Sequence, residues 1–374
     1  MTDDLLLPAP GATIMPAPHG AALAIRGAQA DAAAHEVVIA EYRSRQTPNT
    51  RLRHDTDLKL FADFLVTVGV VVPVDEKEVP ILATDPHAWA GMTAGVVMAF
   101  RTWMLAEGYA IGSVNVRLST VRTYARLAHL ASVLSADVFS RIQAVSGYRR
   151  GEGNNLDQQR TAAAQPTRVS TKKSTAQVLA PAQISELKHA AYHNPTGQTP
   201  EVQARDALLV CLLVDLGLRC GEVALLRWES LHEDLLTVAR PKVKTVQRHR
   251  LVGDVPTALA RYRAVVAAPD DRTQPLIVAF DQHGNKTGFG LSERAIRKRI
   301  QQLGKLIGIP NLAPHDLRHS WATRLAQTQV AIQDLRDAGG WANFTTPARY
   351  IAHQAIANDR IGLGADMLDD AHAE

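Results

Sequence analysis

The segment Val202 to Leu218 constrains this chain more than any other, because it is apolar nearly all round and contains its longest uninterrupted apolar run, Ala207 to Val214. A helix without a polar face must be covered on every side, so this segment predicts the centre of a domain core. Eight residues fall far short of the roughly 20 needed to cross a bilayer. With 374 residues, 46% hydrophobic and 21% charged, the chain has room for such a core and for a second domain. The composition excludes a disulfide scaffold and a wholly disordered chain, since only Cys211 and Cys220 are present and both adjoin the apolar segment. The opening Met-Thr-Asp-Asp lacks the basic start of a secretory signal, so a cytosolic location is expected.

Around that core the text divides. Residues 1 to 33, rich in Ala, Pro and Gly, lack an apolar period and are expected to form a flexible arm. From 34 to 150 the pattern is helical. Val37, Val38, Ala40 and Tyr42 are followed by Leu58, Leu60, Phe61, Phe64 and Leu65, then by helices over Ala94 to Glu107 and Val114 to Ala131. On the last of these, Leu118, Val121, Tyr124, Ala125 and Ala128 form one apolar face, while Arg117, Thr120 and Arg122 are polar. Residues 151 to 178 turn to Gly, Asn, Gln, Thr and Ser and are expected to be a linker. A second domain, 179 to 350, then opens at Leu179-Ala180-Pro181. Short strands are predicted over Leu235 to Ala239, Arg248 to Val252 and Leu276 to Phe280, and helices over Ser292 to Leu306, Leu317 to Ala326 and Ala331 to Ala338.

The formal net charge of +4 is unevenly spread. Residues 179 to 350 carry 22 basic and 16 acidic side chains, whereas 351 to 374 carry one and five. A basic interior masked by acidic ends suits an anionic polymer partner, and the acidic tail reads as protein-facing.

Three patterns in the second domain bear chemistry. Gly217-Leu218-Arg219-Cys220-Gly221-Glu222 puts an arginine where the buried helix gives way to a turn, so its planar fork is held rigidly enough to meet a phosphate or to pair with Glu222. His315-Asp316-Leu317-Arg318-His319 follows a proline and places His315 and Arg318 on one helix face. The same string has the outline of a degenerate zinc motif, but no third ligand follows at suitable spacing, and no metal is expected. Finally, Gly339-Gly340-Trp341 is followed nine residues later by Tyr350, which stands among polar neighbours.

In order, spacing and flanking words, these patterns together resemble the tyrosine recombinase or phage integrase family, in its Xer-like form. The resemblance covers about 179 to 355, and extends more loosely to 34 to 150 through Asn115-Val116-Arg117-Leu118-Ser119-Thr120-Val121-Arg122. It implies a mainly α fold with a small antiparallel β-sheet: a helical, SAM-like core-binding domain joined to an α+β integrase-type catalytic domain. It also implies a site-specific DNA recombinase that works through a 3′-phosphotyrosyl intermediate, as a tetramer on two DNA sites, without ATP or metal. The ATP expectation agrees with Gly284-Asn285-Lys286-Thr287, which lacks the glycine that a Walker loop requires before its lysine.

Residue by residue, the resemblance makes Tyr350 the nucleophile and Arg219 and Arg318 the phosphate ligands, with Glu222 in support. His315 assists proton transfer or binds the phosphate. Trp341 stands where many members have histidine, and it can donate a hydrogen bond but not titrate. The general acid is a hairpin lysine, Lys242 or Lys244; period two puts both on one strand face, and Lys244 matches the commoner family wording. Lys242, Arg248 and Arg250, together with Thr50, Arg51, Arg117, Thr120 and Arg122 of the helical domain, are the candidate DNA contacts. Residues 351 to 374 are expected to pack on a neighbouring protomer. A type IB topoisomerase-like strand swivelase and a catalytically silent DNA-binding accessory protein share parts of this pattern.

Overall fold

The computed structural model describes residues 19–169, 176–193, 199–240, 245–281, 283–328 and 330–352. The chain forms two compact units, residues 1–172 and 173–374.

The first unit is built from helices α1 (His19–Ser44), α2 (Pro48–Thr67), α3 (Ala94–Ala106), α4 (Ile111–Leu130), α5 (Ala136–Ala144) and α6 (Arg150–Ala162). Their starts follow the sequence: Thr47, Thr93 and Ser135 each accept a hydrogen bond from a backbone N–H of the first turn, and Pro48 opens α2. Leu58, Phe61, Phe64 and Leu65 of α2 meet Phe100 of α3, Trp89, and the Leu118, Val121 and Tyr124 face of α4. Phe61 and Phe100 lie 4.9 Å apart between ring centroids.

Two expectations are corrected here. Among the described residues the first helix runs from His19 rather than from near His35, because an alanine-rich stretch is helical by propensity even where little of it is buried; of the described side chains of α1 only Ile39 is fully in the core. Residues 150 to 162 form α6 rather than an open linker. This helix has no apolar stripe. Gly153 instead lies against Ile111, and the buried Arg160 donates to the Tyr109 and Pro166 carbonyls and to Asp157.

In the second unit, α7 (Pro181–Tyr192), α8 (Pro200–Val214), α9 (Cys220–Ala224), α10 (Val255–Val265), α11 (Glu293–Leu306), α12 (Pro314–Gln327), α13 (Ile332–Gly339) and α14 (Thr345–Ala352) surround small sheets. Strands β1 (Leu231–His232), β2 (Leu235–Arg240) and β3 (Thr245–Arg250) form one antiparallel sheet in which Leu236 faces His249 and Arg240 faces Thr245. Strands β4 (Val278–Phe280) and β5 (Lys286–Gly290) form the other. Strand β3 starts three residues before its expected position, since pairing with all six residues of β2 sets its limits. Helix α8 is the core element its composition predicts, with every residue from Ala204 to Val214 buried.

In the first unit α4 is buried over a wide arc, and Thr120 with it. Its hydroxyl, 2% exposed, donates to Asp57 Oδ2 at 2.8 Å. Thr120 is therefore a packing residue of this unit rather than an exposed position on α4. Thr120→Val is expected to leave Asp57 without that donor and to lower stability by about 1–3 kcal/mol, which urea denaturation would measure.

Candidate active site

Three residues after α8, Gly217, with a positive φ of 62°, turns the chain where a Cβ would lie 2.2 Å from the Trp321 ring. The turn delivers Arg219 to the start of α9. There the Glu222 carboxylate accepts from the Arg219 backbone N–H at 2.8 Å and from its Nη1 at 2.7 Å. Burial alone would raise the Glu222 carboxyl, but the Arg219 N–H and the Arg240 and Arg219 charges outweigh it and hold the group below the usual carboxylate range.

Arg318 projects from α12 and is 3% exposed. Its Nη1 donates to the Gly217 carbonyl and its Nη2 to that of Gly339, and its guanidinium lies 4.6 Å from the centroid of the Trp341 ring. Burial, followed by the like charge of Arg219, pushes Arg318 down to about 9. Such a desolvated cation beside a second cation favours an anion in its neighbourhood.

Helix α13 ends in a left-handed turn at Gly340, with φ 56° and ψ 50°. Its last carbonyls are taken in succession by three guanidiniums: Ala338 by Arg240 at 2.8 Å, Gly339 by Arg318 at 2.5 Å, and Gly340 by Arg219 at 3.1 Å. The negative end of the helix is thereby met by three cations. Trp341 folds back on this end, where a Cβ on Gly339 would lie 2.0 Å from its ring.

Helix α14 carries Tyr350, which is 8% exposed. Its ring lies 5.8 Å from that of Trp341 and 5.0 Å from that of His319. His319 in turn meets the exposed His315 edge-on at 4.7 Å. Burial raises the Tyr350 phenol above its ordinary range, and the charges of Arg318 and Arg349 act against that rise.

The structure thus brings together Arg219, Glu222, His315, Arg318, Trp341 and Tyr350. It adds three residues that motif reading did not single out for the site: His319, Arg240 and His249. Arg240 is the inward residue of the alternation Leu236, Val238, Arg240 in β2, a charged side chain at a position that period two assigns to the core. Lys242 and Lys244 lie outside the described residues. Of the remaining candidates, Arg51 and Arg248 are exposed, and Arg250 is exposed and pairs with Asp234 at 2.6 Å. Thr50 is half-buried beside the Thr47 hydroxyl. Arg117 lies over the Tyr109 ring near Asp57, and Arg122 donates to Gln143.

The model of the phage integrase family matches residues 177–356. The chain is 35% identical over 153 residues to the tyrosine recombinase XerC of Methylobacterium nodulans, a stretch covering 40% of this chain and 45% of that protein. It is 29% identical over 177 residues to the tyrosine recombinase XerA of Thermococcus kodakarensis, covering 46% and 60%.

Over residues 177–356, just under half of the chain, the sequence is that of the phage integrase family. The chain spans about half the length of the curated relatives it matches. The fold likeness extends further. The Tn1549 transposon integrase, solved with a circular intermediate DNA, superposes with a TM-score of 0.58 at 15% identity over 85% of this chain and 95% of that one. A lambda integrase fragment, solved as a dimer bound to a COC′ core site, gives 0.56 at 14% identity over 87% and 96%. The mainly helical fold with small antiparallel sheets is therefore that of these integrases. No described helix is long and apolar enough to cross a membrane.

In this integrase fold His249 accepts from Arg240 through Nε2 at 2.9 Å, so its ring is neutral there. Burial, then the Arg240 charge, push the imidazole down from 6.5 to about 4. Between those values the folded chain binds fewer protons at this site than the unfolded chain. The resulting stability is complete above pH 6.5 and declines as pH falls towards 4. His249→Gln is expected to flatten that part of the profile relative to the unsubstituted chain, as read from denaturation midpoints at pH 7 and pH 5.

Proposed function

We propose that this chain is a site-specific DNA recombinase that cuts and rejoins strands through a 3′-phosphotyrosyl intermediate formed on Tyr350. The observation that carries the reading is the convergence of a buried tyrosine, a tryptophan and two arginines, one of them almost fully desolvated, in one cluster. A phosphodiester is an anion suited to that cluster, and a phenol is a nucleophile suited to a phosphorus centre.

In the proposed step Tyr350 Oη attacks phosphorus, the P–Oη bond forms and the P–O5′ bond breaks. The phenolic proton passes to His315 or to solvent. The departing 5′ oxygen takes a proton from the hairpin lysine, Lys244 in preference to Lys242. Arg219 and Arg318 stabilise the charge on the non-bridging oxygens, and Trp341 donates its indole N–H to one of them. Attack of a 5′ hydroxyl on the phosphotyrosine then reverses the step on the same or an exchanged strand. One phosphoester replaces another throughout, so ATP is not consumed, and the guanidiniums supply the positive charge that a metal supplies elsewhere.

The division into a core-binding and a catalytic domain supports action on duplex DNA, with Arg51, Arg117 and Arg122 of the first unit and Arg248 and Arg250 of the second among the contacts. We assign the working assembly as a tetramer on two sites.

A duplex recovered by binding from a randomised pool, then nicked next to the cleavage position, traps the covalent complex. Tyr350→Phe is expected to abolish trapping while leaving affinity for that duplex nearly unchanged, and undiminished trapping would reject Tyr350. Arg318→Gln is expected to slow trapping by about 10²-fold to 10³-fold. EDTA should leave the unsubstituted chain active. Relaxation of any supercoiled plasmid without strand exchange would instead identify a swivelase, and absence of a covalent complex a binding protein.

A further inference from the structure

The third guanidinium of the cluster has no part in that chemistry. Arg240 is 2% exposed, yet its Nε and Nη1 have no hydrogen-bond partner among the described residues. The nearest carboxylate oxygen, Glu222 Oε1, is 3.9 Å from its Nε and is already held by Arg219 at 2.7 Å. Arg240 is therefore not one half of a satisfied buried ion pair, and an aliphatic residue at this inward position of β2 would be cheaper to bury. What the guanidinium does hold is the Ala338 carbonyl, with His249 presenting a lone pair to the same nitrogen, Nη2. It also fills the space beside Gly340, where a Cβ would lie 1.4 Å from Nη1.

We propose that Arg240 is a positioning residue of the active site: by holding the end of α13, it sets where Trp341 and Tyr350 stand relative to Arg219 and Arg318. The sequence around that end fits the assignment. Gly340 leaves room for Arg240, Gly339 leaves room for the Trp341 ring, and the left-handed turn at Gly340 sends the chain on to α14. Without Arg240 the Ala338 carbonyl loses its donor, and the indole and phenol that follow lose a fixed reference. His249 takes part as the acceptor that orients the fork.

The inference rests on the assignment of Tyr350 as nucleophile only for its kinetic readout. Arg240→Met removes the donors at similar length, and Arg240→Lys restores one donor and the charge. With the full chain and the selected duplex at saturation, Arg240→Met is expected to slow covalent trapping by about 10²-fold. Its DNA affinity should remain within about twofold of the unsubstituted chain, and Arg240→Lys should recover part of the rate. A trapping rate within about twofold of normal, or a loss that parallels lost affinity, would overturn the proposal.

A second measurement is independent of catalysis. In chain labelled with 5-fluorotryptophan, the resonance lost in Trp341→Phe identifies Trp341. That resonance should move in Arg240→Met and return towards its original position in Arg240→Lys; an unmoved resonance would overturn the proposal. If Arg240→Met does not fold, Arg240→Lys carries both readouts, with trapping expected to slow by about tenfold at unchanged affinity and a normal rate overturning the proposal. Absence of trapping by the unsubstituted chain would reject the recombinase reading alone, since the fluorine signal would still decide the role of Arg240.

Discussion

Three consecutive carbonyl groups at the end of α13, each taken by a guanidinium from a different part of the second unit, hold this site together. A helix C-terminus carries partial negative charge and unsatisfied carbonyls, and both are answered here by arginines. The consequence is reciprocal. The helix end lowers the cost of gathering cations away from water, and the cations fix the helix end from which Trp341 and then α14 depart. Glu222 offsets part of the remaining repulsion. The cluster nevertheless keeps more positive than negative charge, and burial together with the like charge of Arg219 drives Arg318 down.

The parts of this arrangement legible in the sequence were those written as apolar periodicity or as spaced motifs. Helix α8, the Phe61 and Phe64 face of α2 and the inner face of α4 follow from apolar residues at helical intervals. Arg219, Arg318 and Tyr350 follow from short motifs in a fixed order. Glycine beside Trp341 could be read as part of a motif, but its reason, room for Arg240 on one side and for the indole on the other, is a contact between elements far apart in sequence.

What escaped reading depends on partners rather than on pattern. Helix α6 docks by a glycine and a buried arginine, so a window with no apolar period looks like a linker. Thr120 looked like a polar surface position because its acceptor, Asp57, is 63 residues away. Strand β3 has exposed Val246, Arg248 and Arg250 on one face, and its limits come from pairing with β2. Arg240 did leave a trace, a charge at the inward step of an alternating strand, and such a mismatch between period and polarity marks a site more often than an error.

The double grip of Glu222 on Arg219 has a consequence for recognition. A free arginine side chain carries about 2 kcal/mol of rotamer entropy. With its backbone N–H and its Nη1 both bound to one carboxylate and its Nη2 bound to Gly340, Arg219 has given up much of that freedom when the chain folds. Little of it is left to oppose an encounter with an anion. The fork is presented as a rigid template, so for any anion that meets it the direction of approach counts as much as the charge.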